Sequence, residues 1–441
     1  MKDARDNSGN AIVLAITVSI FLLIMVLTAI ILIRQQTNLT SGSRRKSEAL
    51  SVAEAGLDAA IWRLERNQTL PFDPITNKYN FSGSNTQGGY DVEVEKINDT
   101  KFQVTSTGTK TATNSQKAVR QDIYYINLSR SIVTLSGANG GGTINGSVNI
   151  WGPFYTSGDL HLSGSTGSDN LVGTTGNPFM VKGDLYLDSA GVDIGSVGSP
   201  MAVFVKGSII PASRAGQVHN LVSNSVPDVS LPSISSTQLL DTAQANNNAV
   251  YTGNLTLNTN VVNFGDRGDG TYVFNYNGTT NPATLKVDGT VYIDGDLTFS
   301  KKTRYEHSSY PSSATVFADG KIVVDEEIKA LQTYPSQSNI AFVNEDKAPM
   351  VSEPGSKDTY DIKIDVAGGV NSLVQAFFYS SGQISVFKSL TVEGTIIANR
   401  LWLENPPDLK APSSPGSNYP VLYPGKDLAF IITSNWREVS P

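Results

Sequence analysis

The sequence predicts a mainly β protein with a long N-terminal helix, a small antiparallel meander and then a parallel β-helix. Three observations predict it: an uncharged apolar run near the N-terminus, an amphipathic stripe that continues it, and a six-residue glycine period beyond residue 131. They divide the 441 residues into a polar leader (1–9), a transmembrane and amphipathic helix (10–66), a meander (67–130) and a β-helix domain (131–441).

The apolar run covers positions 11–33 and contains only three polar side chains. These are Thr17, Ser19 and Thr28. At a rise of about 1.5 Å per residue it spans roughly 35 Å, enough to cross a bilayer core of about 30 Å. A cleaved signal peptide is the alternative, but the run is too long and no small-residue cleavage site follows it. Basic residues flank both ends, so charge alone does not fix the orientation.

The helix is expected to continue as an amphipathic segment to about residue 66. Six apolar residues recur at spacings of three and four. They are Leu50, Ala53, Leu57, Ala60, Ile61 and Leu64. Residues 67–130 then show strand alternation at Tyr90, Val92 and Val94, which predicts an antiparallel meander packed on this stripe.

A six-residue period marks the third part of the chain. Glycines stand at 146, 152, 158 and 164, the third and fifth places of the intervening hexads are mostly apolar, and the pattern returns at Gly382–Asn399. Alternating apolar residues place one strand face inward, glycine permits the corner, and three strands close a coil of about 18 residues. The residues predicted to point inward are Val148, Ile150, Leu160, Leu162, Ile384, Val386, Leu390 and Val392.

Interruptions of the period predict loops at 212–248, 265–282 and 301–316, and a last strand near Leu428–Thr433 after a Pro-rich tail. A β-sandwich with glycine-rich turns is the alternative to the β-helix.

Composition gives no sign of a catalytic or metal site. The chain has no cysteine, which excludes disulfides and thiol chemistry, and its net charge of −7 argues against nucleic acid as a partner. Neither His161, His219 nor His307 has metal-ligand spacing, and no nucleotide-binding motif is present. We therefore predict no catalytic residue, no cofactor and no metal ligand.

Two acidic patterns leave alternatives open. Asp266-Arg-Gly-Asp269 and Asp294-Gly-Asp296 are compatible with cation or receptor binding, but Asp-Gly and Arg-Gly pairs are also common turn residues. Asp184, Asp188 and Asp193 could approach one another on an outer face, as in polysaccharide-active β-helix enzymes. The spacing is not diagnostic, and we predict that the chain is not an enzyme.

Three motifs stand out between positions 1 and 66. They are Gly9-Asn-Ala-Ile-Val-Leu14, Thr40-Ser-Gly-Ser-Arg-Arg45 and Ala49-Leu-Ser-Val-Ala-Glu-Ala-Gly-Leu57. Together they resemble the N-terminal segment of PilX-like type IV minor pilins. The meander, with Thr105-Ser-Thr-Gly108, is also similar to the sheet of such proteins, so the resemblance extends to the end of the meander at position 130. The later hexads resemble polymer-forming bactofilin-like β-helices.

The resemblance implies a processed, membrane-anchored subunit. A prepilin peptidase would cut between Gly9 and Asn10, with the leader in the cytoplasm and the β-domain outside it. Major pilins carry a Glu at the fifth mature position, which here is Leu14, so the resemblance implies an initiating or tip subunit. The implied partners are membrane lipid, other pilin subunits, the pilus assembly machinery, the peptidase, and a polysaccharide or host surface.

The implied function is filament priming or surface attachment by a single-pass protein of the cytoplasmic membrane. Two alternatives remain at this point: a static membrane-anchored β-helix scaffold or adhesin, and a surface polysaccharide-active enzyme.

Overall fold

The computed structural model describes most of the chain. The described ranges are 7–65, 70–97, 101–111, 114–127, 132–134, 143–145, 149–163, 178–192, 194–195, 202–219, 221–223, 226, 228–229, 233–345, 360–367, 371–404, 407–412, 418–420, 422–423 and 429–440. The chain divides into two compact units. The first comprises Met1–Lys96, Gln103–Asp122 and Asn435–Pro441, and the second comprises Ile97–Phe102 and Ile123–Ser434.

The first unit begins with one uninterrupted helix, α1, at Asn7–Glu65. It passes through Gly42 without a break. Four strands follow along the chain, β1–β4, at Lys78–Ser84, Gly89–Lys96, Lys101–Lys110 and Ser115–Asn127. The first residues of β3 and the last residues of β4 belong to the second unit. β1 and β2 pair antiparallel, with Lys78 opposite Glu95.

Short strands make up most of the second unit. Strands β5–β14 are Ile132–Thr134, Thr143–Asn145, Asn149–Trp151, Phe154–Thr156, Leu160–Ser163, Phe179–Val181, Leu185–Leu187, Val203–Val205, Ile209–Ile210 and Leu221–Ser223. A 3₁₀ helix at Ala212–Gln217 and a second α-helix, α2, at Ser236–Ala245 interrupt the strands.

The strands continue after α2. Strands β15–β24 are Val250–Thr252, Leu255–Leu257, Val261–Asp266, Tyr272–Asn277, Ala283–Val287, Gly289–Asp294, Leu297–Phe299, Thr303–Glu306, Ser312–Ala318 and Ile322–Val324. Strands β25–β33 are Ile328–Ala330, Ser338–Asn344, Ile362–Ile364, Leu373–Gln375, Phe377–Phe387, Thr391–Glu393, Ile396–Glu404, Asp408–Lys410 and Ala429–Val439.

These strands form a parallel β-helix, as the sequence predicts. Three strips of stacked strands, two of them wholly parallel, enclose one aliphatic and aromatic core. The first strip runs β15, β20, β23, β26, β29, β31, β5, β8, β10, β12 and β14. The second runs β16, β21, β24, β27, β29, β31, β6, β9, β11 and β13, and the third β17, β18, β19, β22, β25, β28, β30, β32 and β7.

The order of the coils in space is not their order in the chain. The coils of residues 250–410 stack first, and the coils of residues 132–223 then continue the same stack. The junction pairs β31 with β5 and β6, and β32 with β7, all parallel. The chain therefore enters its solenoid in the middle.

The predicted inward face is confirmed. Seven of the eight predicted residues are buried, none more than 3% exposed, and the eighth, Val148, lies outside the described residues. The seven are Ile150, Leu160, Leu162, Ile384, Val386, Leu390 and Val392.

The Gly-Asp pairs of the hexads form the corners between strips. The Asp159 carboxylate accepts the backbone N–H of Asp184 at 2.8 Å, and the Asp184 carboxylate accepts that of Ser208 at 2.7 Å. A Cβ built on Gly183 would lie 2.4 Å from Asp159 Oδ1, so only glycine fits beside this carboxylate. Each aspartate thus supplies an acceptor to the next coil.

The predicted loops contain regular structure. Residues 212–248 hold the 3₁₀ helix, β14 and α2, residues 265–282 hold β18, and residues 301–316 hold β22. β18 was missed because it folds back antiparallel on β17 and therefore lacks the glycine step. The last strand, β33, lies beside β4 in a five-stranded sheet of order β1-β2-β3-β4-β33, whereas the sequence placed these residues in the β-helix domain.

Candidate anchoring and assembly segment

The N-terminal part of α1 presents apolar side chains on every side. From Val13 to Ile33 its large apolar side chains are 46–68% exposed, and none packs into the core of the protein. A helix that is apolar all round requires either a membrane or other helices around it. It is the one helix in the described part of the chain that is long and apolar enough to cross a membrane.

The polar residues of this segment are satisfied within the helix. The hydroxyl groups of Thr17, Ser19 and Thr28 each donate to the backbone carbonyl four residues earlier at 2.8 Å. No hydroxyl then needs water, which matters because an unpaired polar group in hydrocarbon costs several kcal/mol.

The C-terminal part of α1 packs on the sheet through small residues. Ala53, Leu57, Ala60 and Leu64 of the predicted stripe are buried, while Leu50 and Ile61 are half-buried. Ala49, Val52 and Gly56 are buried as well. The contact stripe is therefore rotated slightly from the prediction, towards its smallest side chains.

Two glycines allow the close approach. A Cβ on Gly108 of β3 would lie 2.3 Å from both Ala49 O and Ala53 N, which are backbone atoms of α1. A Cβ on Gly56 would lie 2.3 Å from Ser106 Oγ. The sequence analysis did not identify this contact. Its signal was present as small residues at 49, 53, 56 and 60, a spacing that places them on one face.

Polar contacts fix the helix at both ends of this interface. At the start, Glu48 pairs with Lys110 of β3 and with Arg44, whose Nε lies 3.0 Å from Glu48 Oε1. Hydrogen bonds from Lys110 and then Arg44 lower the pKa of Glu48. Near the end, Arg63 donates to the Tyr79 hydroxyl at 2.6 Å and covers the Phe81 ring at 4.0 Å.

The predicted processing residues lie at the head of this segment. Gly9 and Asn10 belong to α1, near its first residue, and their side chains are outside the described residues. Leu14 is 68% exposed. The roles proposed for these three residues remain predictions.

Two of the histidines considered for chemistry have contacts with neighbouring side chains or backbone. His161 faces outward, 3.1 Å from Asp188 Oδ2, and stacks on Tyr186 with ring centroids 4.1 Å apart. His307 is buried against the Val287 carbonyl, and burial lowers its pKa. His219 follows the 3₁₀ helix and is exposed, and Asp193 lies outside the described residues.

The Asp266–Asp269 segment is a turn. Asp266 accepts the N–H of Gly268, and Asp269 accepts that of Thr271, while Arg267 donates to Asp288 at 2.7 Å. Over the described ranges, no three His, Asp or Glu side chains are grouped closely enough to hold a metal ion.

The comparisons with known proteins find likenesses among solved structures. No family model matches the sequence, and no curated protein matches it. The crystal structure of the competence-associated pilin ComZ from Thermus thermophilus is similar at 16% identity and a TM-score of 0.46, covering 90% of this chain and 98% of that one.

The second likeness is weaker. An ice-binding protein from the Antarctic ascomycete Antarctomyces psychrotrophicus is similar at 11% identity and a TM-score of 0.19, covering 65% of this chain and 97% of that one. Neither likeness assigns the chain to a family.

Proposed function

We propose that this chain is a pilin-like minor subunit and not an enzyme. A single apolar helix anchors it in the cytoplasmic membrane, and the β-helix is displayed outside the cytoplasm for filament priming or surface attachment. One observation carries the proposal. The same continuous helix exposes apolar side chains over Val13–Ile33, and from Ala49 onward it packs on the antiparallel sheet through Ala and Gly residues.

The apolar surface of the exposed segment, Val13–Ile33, suits two environments. Lipid can surround it in the membrane, and the helices of other subunits can surround it in a filament, because helix association of this kind depends on packing rather than on water exclusion. With its hydroxyl groups bonded internally, the segment can pass between the two environments without leaving a polar group unpaired.

The partners in this proposal are those that the resemblance to pilins implies. A prepilin peptidase would cleave after Gly9, and the assembly machinery would then transfer the helix from lipid to neighbouring pilin subunits. The runner-up, a static membrane-anchored scaffold or adhesin, uses the same anchor but never leaves the membrane. A polysaccharide or host surface is the proposed target of the β-helix in either case.

Fractionation of cells tests the proposal against the runner-up. Cells expressing the full chain are sheared, and the sheared surface material and the washed membranes are probed for the chain. We expect a mature form in the sheared material and none there from a Gly9→Leu control. Uncleaved chain found only in membranes, from a strain with an active peptidase, would favour the static scaffold.

A further inference from the structure

The charged side chains of α1 between the apolar run and the packed part of the helix are all basic. Residues 7–47 contain no Asp or Glu, although Asp and Glu total 40 in the whole chain, and the stretch carries Arg34, Arg44, Arg45 and Lys46. Arg44 is paired with Glu48. Arg34 and Arg45 are exposed, and neither has an ion-pair partner among the described residues.

Arg34 and Arg45 lie on one face of the helix. Positions 34, 38, 41 and 45 are spaced by four, three and four, which places Arg34, Asn38, Ser41 and Arg45 in a single row. We call this row the basic row. It ends just before Ala49, the first buried residue of the helix.

A second row with the same spacing runs along the outer face of the packed part of α1. Positions 54, 58, 61 and 65 repeat the intervals four, three and four, and place Glu54, Asp58, Ile61 and Glu65 in line. We call this row the acidic row. Its three carboxylates are exposed and lack ion-pair partners among the described residues. They point away from the face that carries Ala53, Leu57 and Ala60.

The two rows match at one offset. Three pairs of residues are each separated by 20 positions in the sequence. They are Arg34 and Glu54, Asn38 and Asp58, and Arg45 and Glu65. A second copy placed parallel to the first and shifted by that interval, about 30 Å along the axis, would set the two rows side by side. Two Arg–Glu pairs and one amide–carboxylate hydrogen bond would then form together.

The intramolecular and antiparallel alternatives do not bring the rows together. Both rows lie on one continuous helix, about 20 residues apart, so they cannot meet within one copy. Anchoring through Val13–Ile33 in one membrane requires every copy to point the same way, which leaves translation along the axis as the free variable.

We infer that α1 is self-complementary, and that the basic row of one copy binds the acidic row of a second copy in the register that sets Arg34 beside Glu54. The inference rests on the proposed function, since this register requires that one copy has moved along its axis relative to the other. It needs two adjacent copies, which a small initiating assembly can supply.

Crosslinking through introduced cysteines tests the register. Because the chain has no native cysteine, only the introduced cysteines of the two copies can be joined to each other. Two differently tagged full-length chains are co-expressed, one with Arg34→Cys or Arg45→Cys and the other with Glu54→Cys or Glu65→Cys. Sheared surface material is then treated with a short bismaleimide. The matched combinations are 34 with 54 and 45 with 65. The crossed combinations are 34 with 65 and 45 with 54, and they use the same four cysteines.

We expect at least tenfold more mixed dimer from the matched combinations than from the crossed ones. In a second arm, Arg45→Glu should abolish the 34–54 crosslink when the partner keeps Glu65, and Glu65→Arg in the partner should restore it. Equal yields from matched and crossed combinations would overturn the inference.

If the chain is present in the sheared material but no mixed dimer forms, the inference is also overturned. A product formed only with a different pilin subunit would assign the basic row to that subunit instead. Absence of the chain from the sheared material would refute the proposed function itself, so the two failures are distinguishable.

Discussion

Thr134 and Asn399 join the first coil of the chain to its last. The hydroxyl of Thr134 donates to the backbone carbonyl of Asn399 at 3.2 Å, across 265 positions of sequence. Beside them Ile132 pairs with Ile396, and both side chains are 1% exposed. This junction makes one continuous core from coils that are far apart in the sequence.

The junction should limit the stability of the whole solenoid. Ile396→Ala removes buried volume there and should lower the free energy of unfolding by about 3 kcal/mol, while Thr134→Val, which keeps the shape and loses one hydrogen bond, should cost about 1 kcal/mol. Chemical denaturation of the full chain in detergent micelles measures both. If residues 132–223 and 250–410 unfolded in separate transitions with unchanged midpoints, the junction would not be coupling them.

The hexads predict the coils but not this junction. The residues of Gly146–Gly164 and Gly382–Asn399 have the same glycine step and the same inward face, so each presents an edge that fits any other coil. The order in which the coils stack depends on strand pairing between residues far apart in the sequence, such as Ile132 and Ile396. A local sequence pattern does not contain this information. The bounds of α1 depend on local periodicity alone and were predicted to within three residues. Four of the six residues of the predicted stripe are buried.

Gly108 should not tolerate any side chain. In Gly108→Ala the new methyl group meets backbone atoms of Ala49 and Ala53, which cannot rotate away, so the helix must separate from β3. We expect a loss of about 2 kcal/mol or more in the free energy of unfolding. The matched control is Gly42→Ala, in open space within the same helix, which should stabilise the protein by about 0.5–1 kcal/mol. Equal effects of the two substitutions would disprove the close approach.

His307 should make stability fall in mild acid. Burial lowers its pKa below the usual 6.5, against smaller opposing effects of the Val287 carbonyl, Asp288 and Glu306. The unfolded chain therefore takes up the proton first, and stability present above about pH 6.5 is lost as the pH falls towards the lowered pKa of the folded state. Denaturation midpoints between pH 7.5 and 5 should fall more steeply for the native chain than for His307→Phe. Parallel curves would show that His307 does not cause the dependence.

Cleavage after Gly9 should depend on the absence of a side chain. The peptidase must bring the peptide between Gly9 and Asn10 against its catalytic groups, and this peptide lies in the first turns of α1, so the helix must open there. Gly9→Leu both adds bulk and favours the helix, and it should abolish processing. Mass spectrometry of the N-terminus is the measurement. Gly42→Leu is the control, with normal processing expected. A mature Asn10 terminus from Gly9→Leu would contradict the prediction.

Leu14 predicts where in a filament the chain resides. In a major pilin, the acid expected at this position would neutralise the terminal amine of a neighbouring subunit, and an unpaired charge enclosed among packed helices is costly. A subunit with the exposed, uncharged Leu14 suits a place where no subunit above it needs that acid. We therefore expect the chain at filament ends in low copy number, with room for the adjacent pair that the basic and acidic rows imply. Immunogold labelling against an epitope tag after Pro441 measures this directly, with a tagged major subunit labelled along the whole filament as the control. Label along the shaft at a stoichiometry like that of the major subunit would show that Leu14 does not confine the chain to the tip.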